Sequence, residues 1–147
     1  MLIAIASDHG GFRMKVELAR LLTSMGHTCH DLGPHESDSV DYPDYAQRVA
    51  TAVADGLYDS GILICGTGQG MAMSANKVKG IRAAVCQDTY SAKMSREHND
   101  ANVLCMGERV LGPGLAEEIV KACLEAEFSE EERHSRRVAK IRALEDR

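Results

Sequence analysis

The sequence predicts an α/β fold in which a five-stranded parallel sheet is covered by helices on both faces. Short apolar runs alternate with stretches whose apolar residues recur every three or four positions, and little chain remains between them. Runs such as Ser60–Cys65 are typical of buried strands, and buried strands that alternate with amphipathic helices imply a parallel sheet. Such sheets bind ligands at the carboxyl ends of their strands.

The first predicted unit consists of a strand, a turn and a helix. Leu2 to Ala6 predicts a buried strand that ends at the polar turn Ser7–Gly11. A helix then follows until Gly26, and its apolar face comprises Phe12, Val16, Ala19 and Leu22. The turn places Asp8 and His9 at the carboxyl end of the strand.

Four further strands complete the predicted sheet. They are expected at Thr28–Leu32, Ser60–Cys65, Arg82–Cys86 and Asn102–Met106. A polar loop, Gly33–Pro43, precedes a helix that ends near Gly56, and the loop is long enough to be functional. Helical sequence also starts at Met71, precedes the fourth and fifth strands, and continues around Leu115–Ala126.

The last segment, Ser129–Arg147, predicts an extended C-terminal helix. It is charged, and its narrow apolar stripe comprises Val138, Ile141 and Leu144. A stripe this narrow suggests that the helix packs on a second subunit rather than on its own core. At 147 residues the whole chain, 1–147, is expected to form one domain.

Composition narrows the classes of function. The five cysteines are odd in number, scattered and never in a CxxC pair, which favours a reducing cytoplasm over disulfides or a structural zinc. The apolar runs are far shorter than the ~18 residues that span a bilayer, and the first residues lack a signal peptide's basic leader. A net charge of −5 gives no general reason to bind nucleic acid or an anionic membrane.

The most informative feature is Cys65, which ends the third strand and precedes the glycine loop Gly66–Gly70. Unpaired N–H groups and a helix N-terminus favour anions at such a place, and a thiolate is one such anion. A cysteine there could act as a base or nucleophile. The alternative is a tight turn beside an ordinary core cysteine, and spacing alone does not decide between the two.

Three better-known loop motifs are excluded at named positions. A dinucleotide fingerprint would need glycine at Met71, a phosphatase loop would need arginine there, and a P-loop would end in Gly-Lys-Ser/Thr. What remains is a group of backbone donors beside Cys65 that could hold a phosphate, a carboxylate or an enediolate oxygen.

Two further clusters are candidates for chemistry. His98 opens the polar segment His98–Asn102 just ahead of the fifth strand, and a histidine near the strand ends could transfer protons or open a sugar ring. Arg133 and Arg137 would share a helix face, where a bound phosphate would relieve their repulsion. Each cluster has a simpler alternative. His98 could be an ordinary surface histidine, and the arginine face could be solvated and neutralised by nearby glutamates.

A metal site is not expected. His27, His30 and His35 lie close together with Cys29, but strand alternation would point His30 and Cys29 to opposite faces.

Several segments together resemble the type B ribose-5-phosphate isomerase family, which also contains galactose-6-phosphate isomerase subunits. The matching segments run from the first strand to the tail. They are Ser7–Gly11, Asp41–Pro43, Cys65–Gly68, Ala75–Lys77, Gly80–Ala83, His98–Leu104, and Arg133–His134 with Arg137–Val138. The resemblance therefore covers nearly the whole chain.

The resemblance implies an aldose–ketose isomerisation through an enediolate, without metal or cofactor. The implied fold is a Rossmann-like three-layer sandwich, with active sites at the interface of a homodimer. Cys65 would be the base that moves a proton between C1 and C2, while Thr67 and His98 would open the furanose ring.

The resemblance also implies the groups that bind the sugar phosphate. Sugar hydroxyls and the enediolate would be held by Asp8, Asn99, Tyr42 and the amides of Gly66, Gly68 and Gly70. The phosphate would be bound by His9, Arg133 and Arg137, with Arg109 reaching across the interface. Met71 stands where one branch of the family has a catalytic glutamate, so the chain resembles the cysteine branch.

The substrate is left open by departures from the family pattern. Glu131 and Glu132 precede Arg133 where Gly-Gly is usual, and Gln69 follows Gly68 where a small apolar residue is common. Ribose 5-phosphate is the leading expectation. The alternatives are a six-carbon substrate, such as allose or galactose 6-phosphate, and a catalytically silent subunit that binds sugar phosphates. Whether dimers pair into tetramers is also left open.

Overall fold

The computed structural model describes all residues from Met1 to Arg147. Its five strands are β1 (Leu2–Ser7), β2 (Thr28–Asp31), β3 (Ser60–Cys65), β4 (Ala83–Val85) and β5 (Val103–Gly107). They form one parallel sheet in the order β2-β1-β3-β5-β4. The predicted five-stranded parallel sheet is confirmed, with β3 and its Cys65 at the centre.

Six helices surround the sheet. They are α1 (Phe12–Ser24), α2 (Tyr42–Ala54), α3 (Gln69–Ala75), α4 (Thr89–Glu97), α5 (Pro113–Glu125) and α6 (Glu132–Ala143). α3 starts two residues before the predicted Met71. The predicted C-terminal helix over 129–147 is α-helical only across Glu132–Ala143 and continues as a 3-10 turn, Leu144–Asp146. None of the helices has the length and apolar character needed to cross a membrane.

Two hydrophobic cores lie on opposite faces of the sheet, because successive strand residues point to opposite sides. On one face α1, α4 and α5 cover Ile3, Ile5, Ile62, Ile64, Leu104 and Met106. On the other face α2 and α3 cover Ala4, Ala6, Leu63, Cys65, Val103 and Cys105. The result is the predicted three-layer sandwich, and every residue of β3 is buried.

The parallel strands give the sheet two distinct edges. At the carboxyl edge Ser7 lies beside Ile64, and Cys65 lies beside Gly107. At the amino edge the carbonyl of Asn102 accepts hydrogen bonds from the Gly61 N–H at 3.0 Å and from the Ser60 hydroxyl at 3.2 Å. A residue that follows a strand and a residue that precedes one therefore lie at opposite edges.

α6 lies against loops of the amino edge. The Gly80 N–H donates to Glu145 Oε1 at 2.9 Å, and the Ser129 N–H donates to the Glu97 carbonyl at 3.0 Å. Of the predicted apolar stripe, Val138 is buried, whereas Ile141 and Leu144 are exposed. Two of the three stripe residues are therefore available to another surface.

Candidate active site

Cys65 ends β3 at the carboxyl edge, with only 5% of its surface exposed. Its Sγ accepts a hydrogen bond from the Gly68 N–H at 3.1 Å. Gly68 has a φ of +82°, a conformation that favours glycine, and this turns its amide back toward the sulfur. An amide donor at this distance stabilises a thiolate more than a thiol, because a charged acceptor forms the stronger hydrogen bond.

The glycine loop rests directly on the end of β5. A Cβ built on Gly68 would lie 3.0 Å from the Met106 carbonyl carbon, and one built on Gly107 would lie 2.6 Å from Thr67 Cα. Neither site has room for a side chain. Thr67 is exposed at this turn, and its Oγ1 accepts from the Gln69 N–H at 3.3 Å. Close packing thus holds the Cys65 loop against the neighbouring strand.

Asp8 and Arg109 border the same loop. Asp8 is buried, and its Oδ1 accepts from the Gly10 N–H at 2.9 Å. The Arg109 guanidinium lies over Gly66, since a Cβ built there would lie 3.2 Å from Arg109 Nη1. Arg109 makes no ion pair with any carboxylate of the chain. The positive charge of Arg109 is therefore available to bind an anion. This charge lies at the carboxyl edge of the sheet, beside the Cys65 loop.

His9 and Tyr42 bring the long polar loop to this edge. His9 Nδ1 accepts from the Val40 N–H at 3.3 Å. Tyr42 begins α2 and packs its ring on Gly70, where an added Cβ would lie 2.6 Å from ring carbons Cε2 and Cζ. The loop before α2 therefore forms one wall beside the glycine loop.

A second cluster forms where α4 ends and α6 begins. The rings of His98 and His134 lie 4.2 Å apart between centroids, tilted by 30°. His134 is buried at 3% exposure, and its Nδ1 lies 2.6 Å from the Ser129 hydroxyl. Burial, followed by the neighbouring His98, lowers the pKa of His134. Sequence reasoning missed His134, although it lies four residues before Val138 on the same apolar stripe.

The two arginines of α6 differ in their partners. Arg133 Nε donates to Glu131 Oε2 at 3.0 Å, and both side chains are exposed. Glu132 pairs with Arg136, whereas Arg137 has no carboxylate partner. Of the two acidic residues that depart from the family pattern, only Glu131 contacts a candidate phosphate ligand.

The two clusters lie at opposite edges of the sheet within one chain. Cys65 is the last residue of β3, whereas His98 and Asn99 precede β5 and lie at the amino edge of the sheet. A six-residue strand is roughly 20 Å long. The expectation that His98 shares the strand ends of Cys65 is therefore wrong for a single chain, because the order of residue and strand is reversed.

The histidines near β2 have separate partners. His27 Nδ1 lies 3.2 Å from the amino group of Met1, and His30 Nδ1 lies 3.1 Å from the Tyr58 hydroxyl. No group of three or more His, Cys, Asp or Glu side chains is arranged to hold a metal ion.

Comparisons with known proteins identify the family and the fold of the chain. Residues 3–141 match the family model described as Ribose/Galactose Isomerase. YwlF of Bacillus subtilis, assigned to the sugar phosphate isomerases, is 55% identical and the match covers 100% of this chain and 99% of YwlF. Ribose-5-phosphate isomerase B of Escherichia coli is 51% identical, with 99% of this chain and 97% of that protein covered.

Two solved structures share the fold over nearly the whole chain. Ribose-5-phosphate isomerase B of Clostridium thermocellum gives a TM-score of 0.97 at 54% identity, covering 99% of this chain and 98% of that one. Ribose-5-phosphate isomerase B of Mycoplasma genitalium, solved with bound ribulose-5-phosphate, gives a TM-score of 0.95 at 42% identity. The match covers 99% of this chain and 96% of that one.

The five-stranded parallel sheet and these likenesses define the chain as a sugar-phosphate isomerase. More particularly, the chain belongs to the ribose/galactose isomerase family, the family of the type B ribose-5-phosphate isomerases.

Proposed function

We propose that this protein interconverts D-ribose 5-phosphate and D-ribulose 5-phosphate, with Cys65 as the base. The thiolate takes the proton from C2 of the open-chain aldose and an enediolate forms. The hydroxyl proton passes from O2 to O1, and the thiol returns its proton to C1, which regenerates the thiolate. The observation that carries the proposal is the Gly68 N–H on the Cys65 sulfur, within a loop that also presents the amides of Gly66 and Gly70. Preorganised amides stabilise charge as it develops on the enediolate oxygens.

The active site is composed of two copies of the chain. One copy supplies Cys65 and Thr67, and a second copy supplies His98, because one chain holds them at opposite edges. Thr67 and His98 then open the furanose ring before the base acts. The exposed part of the α6 stripe, Ile141 and Leu144, supports an interface on that side. A homodimer is the smallest assembly that completes a site, and pairs of dimers would complete it equally.

The substrate's polar groups have separate ligands in this site. Asp8 and Asn99 bind sugar hydroxyls, and the Tyr42 ring lines the pocket. The phosphate lies between His9 and Arg109 of one copy and Arg133 and Arg137 of the other. Arg109 and Arg137 support this assignment because neither is paired with a carboxylate in its own chain, and guanidinium groups bind phosphate in a bidentate manner.

The bound ribulose-5-phosphate of the Mycoplasma genitalium relative favours a five-carbon substrate here. None of the proposed roles needs a metal ion or an organic cofactor. All five cysteines are free, which is consistent with a reducing, cytoplasmic location.

Isomerisation by the purified protein in EDTA tests the proposal, with ribose 5-phosphate, allose 6-phosphate and galactose 6-phosphate at equal concentrations. The proposal expects ribose 5-phosphate to react fastest, and Cys65→Ala serves as the inactive control. Reaction of a hexose phosphate alone would keep the mechanism but replace the substrate. Tight sugar-phosphate binding without turnover would indicate a non-catalytic subunit instead.

A further inference from the structure

Asp100 lies three residues after the end of α4, in a backbone conformation that is unusual for its residue type. Its φ is +49°, in the left-handed region, where helix ends usually have glycine. The Asp100 N–H donates to the Arg96 carbonyl at 3.1 Å, and the Ala101 N–H donates to the Ser95 carbonyl at 2.9 Å. These bonds close the turn that follows α4, and this turn contains His98 and Asn99.

The Asp100 carboxylate contacts three arginines from three different parts of the chain. Its Oδ2 accepts from Arg82 Nη2 at 2.9 Å and from Arg142 Nη2 at 3.4 Å, while Oδ1 lies 3.7 Å from Arg96 Nη1. Arg82 Nε also donates to the Asp100 carbonyl at 2.8 Å. The Arg82 side chain is only 10% exposed, so its charge depends on Asp100 for neutralisation. A glycine at this position would adopt the turn but could not join the arginines.

Arg142 extends this cluster to α6. It lies eight residues after His134, which corresponds to about 12 Å along a helix. α6 is thus attached to the end of α4 at two points, through the His98–His134 stack and through the Arg142–Asp100 bond. Two attachments fix the direction of α6, and with it the distance from Arg133 and Arg137 to His98.

We infer that Asp100 is a positioning residue that holds His98 and Asn99 at a set distance from Arg133 and Arg137. This inference rests on the proposed function for its catalytic consequence. Asp100 is assigned no contact with the substrate, because its carboxylate is held by arginines. Its carboxylate, held by Arg82 and Arg142, fixes the distance between the ring-opening histidine and the phosphate-binding arginines. A bound sugar phosphate can then contact the histidine and the arginines at the same time.

The test compares Asp100→Asn with Asp146→Asn. Asparagine keeps the shape and tolerates the left-handed conformation, but it removes the charge that the three arginines share. Asp146 forms an exposed ion pair with Lys79 nearby and contacts none of the candidate site residues. Three quantities are measured: kcat and KM for ribose 5-phosphate, the unfolding temperature, and the ring C–H NMR signals of His98 and His134, assigned with His98→Asn and His134→Asn.

We expect kcat/KM of Asp100→Asn to fall about tenfold or more, since small displacements of positioned groups have effects of this size. The ring signals of His98 and His134 should shift in the same variant, and Asp146→Asn should match the wild type in both measurements. Unchanged kinetics and unchanged ring signals in Asp100→Asn would overturn the inference, whatever its unfolding temperature.

Arg142→Gln provides a second variant in case Asp100→Asn does not fold. Arg142 is exposed, so its replacement spares the core and removes one of the two attachments of α6. We expect a raised KM, because the phosphate arginines lose their fixed direction, together with a shifted His134 signal. A wild-type KM and signal would contradict the positioning role. If the wild-type protein isomerises no sugar phosphate, the proposed function fails, and the ring signals alone still decide whether Asp100 positions His98.

Discussion

The Gly68 amide donates a hydrogen bond to the Cys65 sulfur across a 3.1 Å distance, from a residue whose φ is +82°. The two residues are three positions apart, and only the left-handed turn at Gly68 brings the amide back to the thiol. A backbone feature, rather than a second side chain, therefore sets the environment of the proposed base.

Replacement of Cys65 by alanine should abolish isomerisation while leaving the fold intact. A positioned base contributes about 10²–10⁴-fold to the rate of proton transfer, so a loss of at least that size is expected in kcat. Steady-state kinetics and circular dichroism measure the two effects. Cys105→Ala, one strand away and fully buried, is the matched control and should stay active. Equal activity of Cys65→Ala and wild type would remove Cys65 from the mechanism.

Gly68→Ala should reduce both stability and activity. An alanine at a positive φ costs about 1–2 kcal/mol, and its Cβ would crowd the Met106 backbone at 3.0–3.2 Å. Relief of this crowding would move the amide away from Cys65 and lower kcat. Gly56→Ala isolates the first effect, since Gly56 has a φ of +75° with no atom within 4 Å of an added Cβ. Denaturant unfolding and kinetics should show Gly56→Ala less stable but fully active. A Gly68→Ala protein with wild-type kcat would contradict the role of the amide.

The proposed site composed of two chains predicts that two inactive variants restore each other. Cys65→Ala and His98→Ala, unfolded together and refolded at equal amounts, should form mixed dimers with one complete site each. Random pairing then gives about one quarter of wild-type activity. Cys65→Ala mixed with Thr67→Ala is the control, because both residues lie in the same loop and no mixture completes a site. Absence of recovery in the first mixture, with dimers present, would show that the site does not combine two chains in this way.

Local pattern was sufficient to predict the elements that carry Cys65. The apolar run to Cys65, the glycines after it and the polar turn at Asp8 are properties of adjacent residues, and the structure contains all three. The start of α3 was placed late because Gln69 and Gly70 carry no apolar periodicity.

Relations between distant segments were not predictable in this way. The partners of Asp100 come from the residue before β4, from α4 and from α6, and only packing brings them together. The direction of the strands places His98 at the amino edge of the sheet and Cys65 at the carboxyl edge. The two residues are therefore far apart in one chain, although both lie close to strand ends in the sequence.

Lys15→Met should destabilise the protein strongly. Lys15 Nζ is buried and donates to Asp31 Oδ1 at 3.0 Å and to the Pro34 carbonyl. Its removal leaves Asp31 partly buried without a cation, and breaking such a pair costs about 3 kcal/mol. Lys79→Met breaks an exposed pair with Asp146 and should cost less than about 1 kcal/mol. Denaturant unfolding of both variants measures the difference, and similar losses would show that the burial of Lys15 is not decisive.

Lys15→Met should also raise KM for ribose 5-phosphate. Lys15 anchors the start of the polar loop whose Val40 N–H donates to His9, a proposed phosphate ligand. Kinetics below the onset of unfolding should show a larger change in KM than in kcat. The reverse pattern would argue against a link between this anchor and phosphate binding.

The lowered pKa of His134 predicts that the free energy of unfolding falls on mild acidification. Burial and the neighbouring His98 lower the pKa of His134 in the folded protein, so the unfolded chain binds the proton more readily. Above the usual histidine pKa of about 6.5 both states are neutral and the effect vanishes. As the pH falls below that value toward the lower folded pKa, only the unfolded state gains a proton, and stability decreases. Unfolding temperatures from pH 7.5 to 5 should therefore decline more steeply in wild type than in His134→Gln. His35→Asn, which removes an exposed histidine, should keep the wild-type slope. An equally steep decline in His134→Gln would assign the acid sensitivity to other groups.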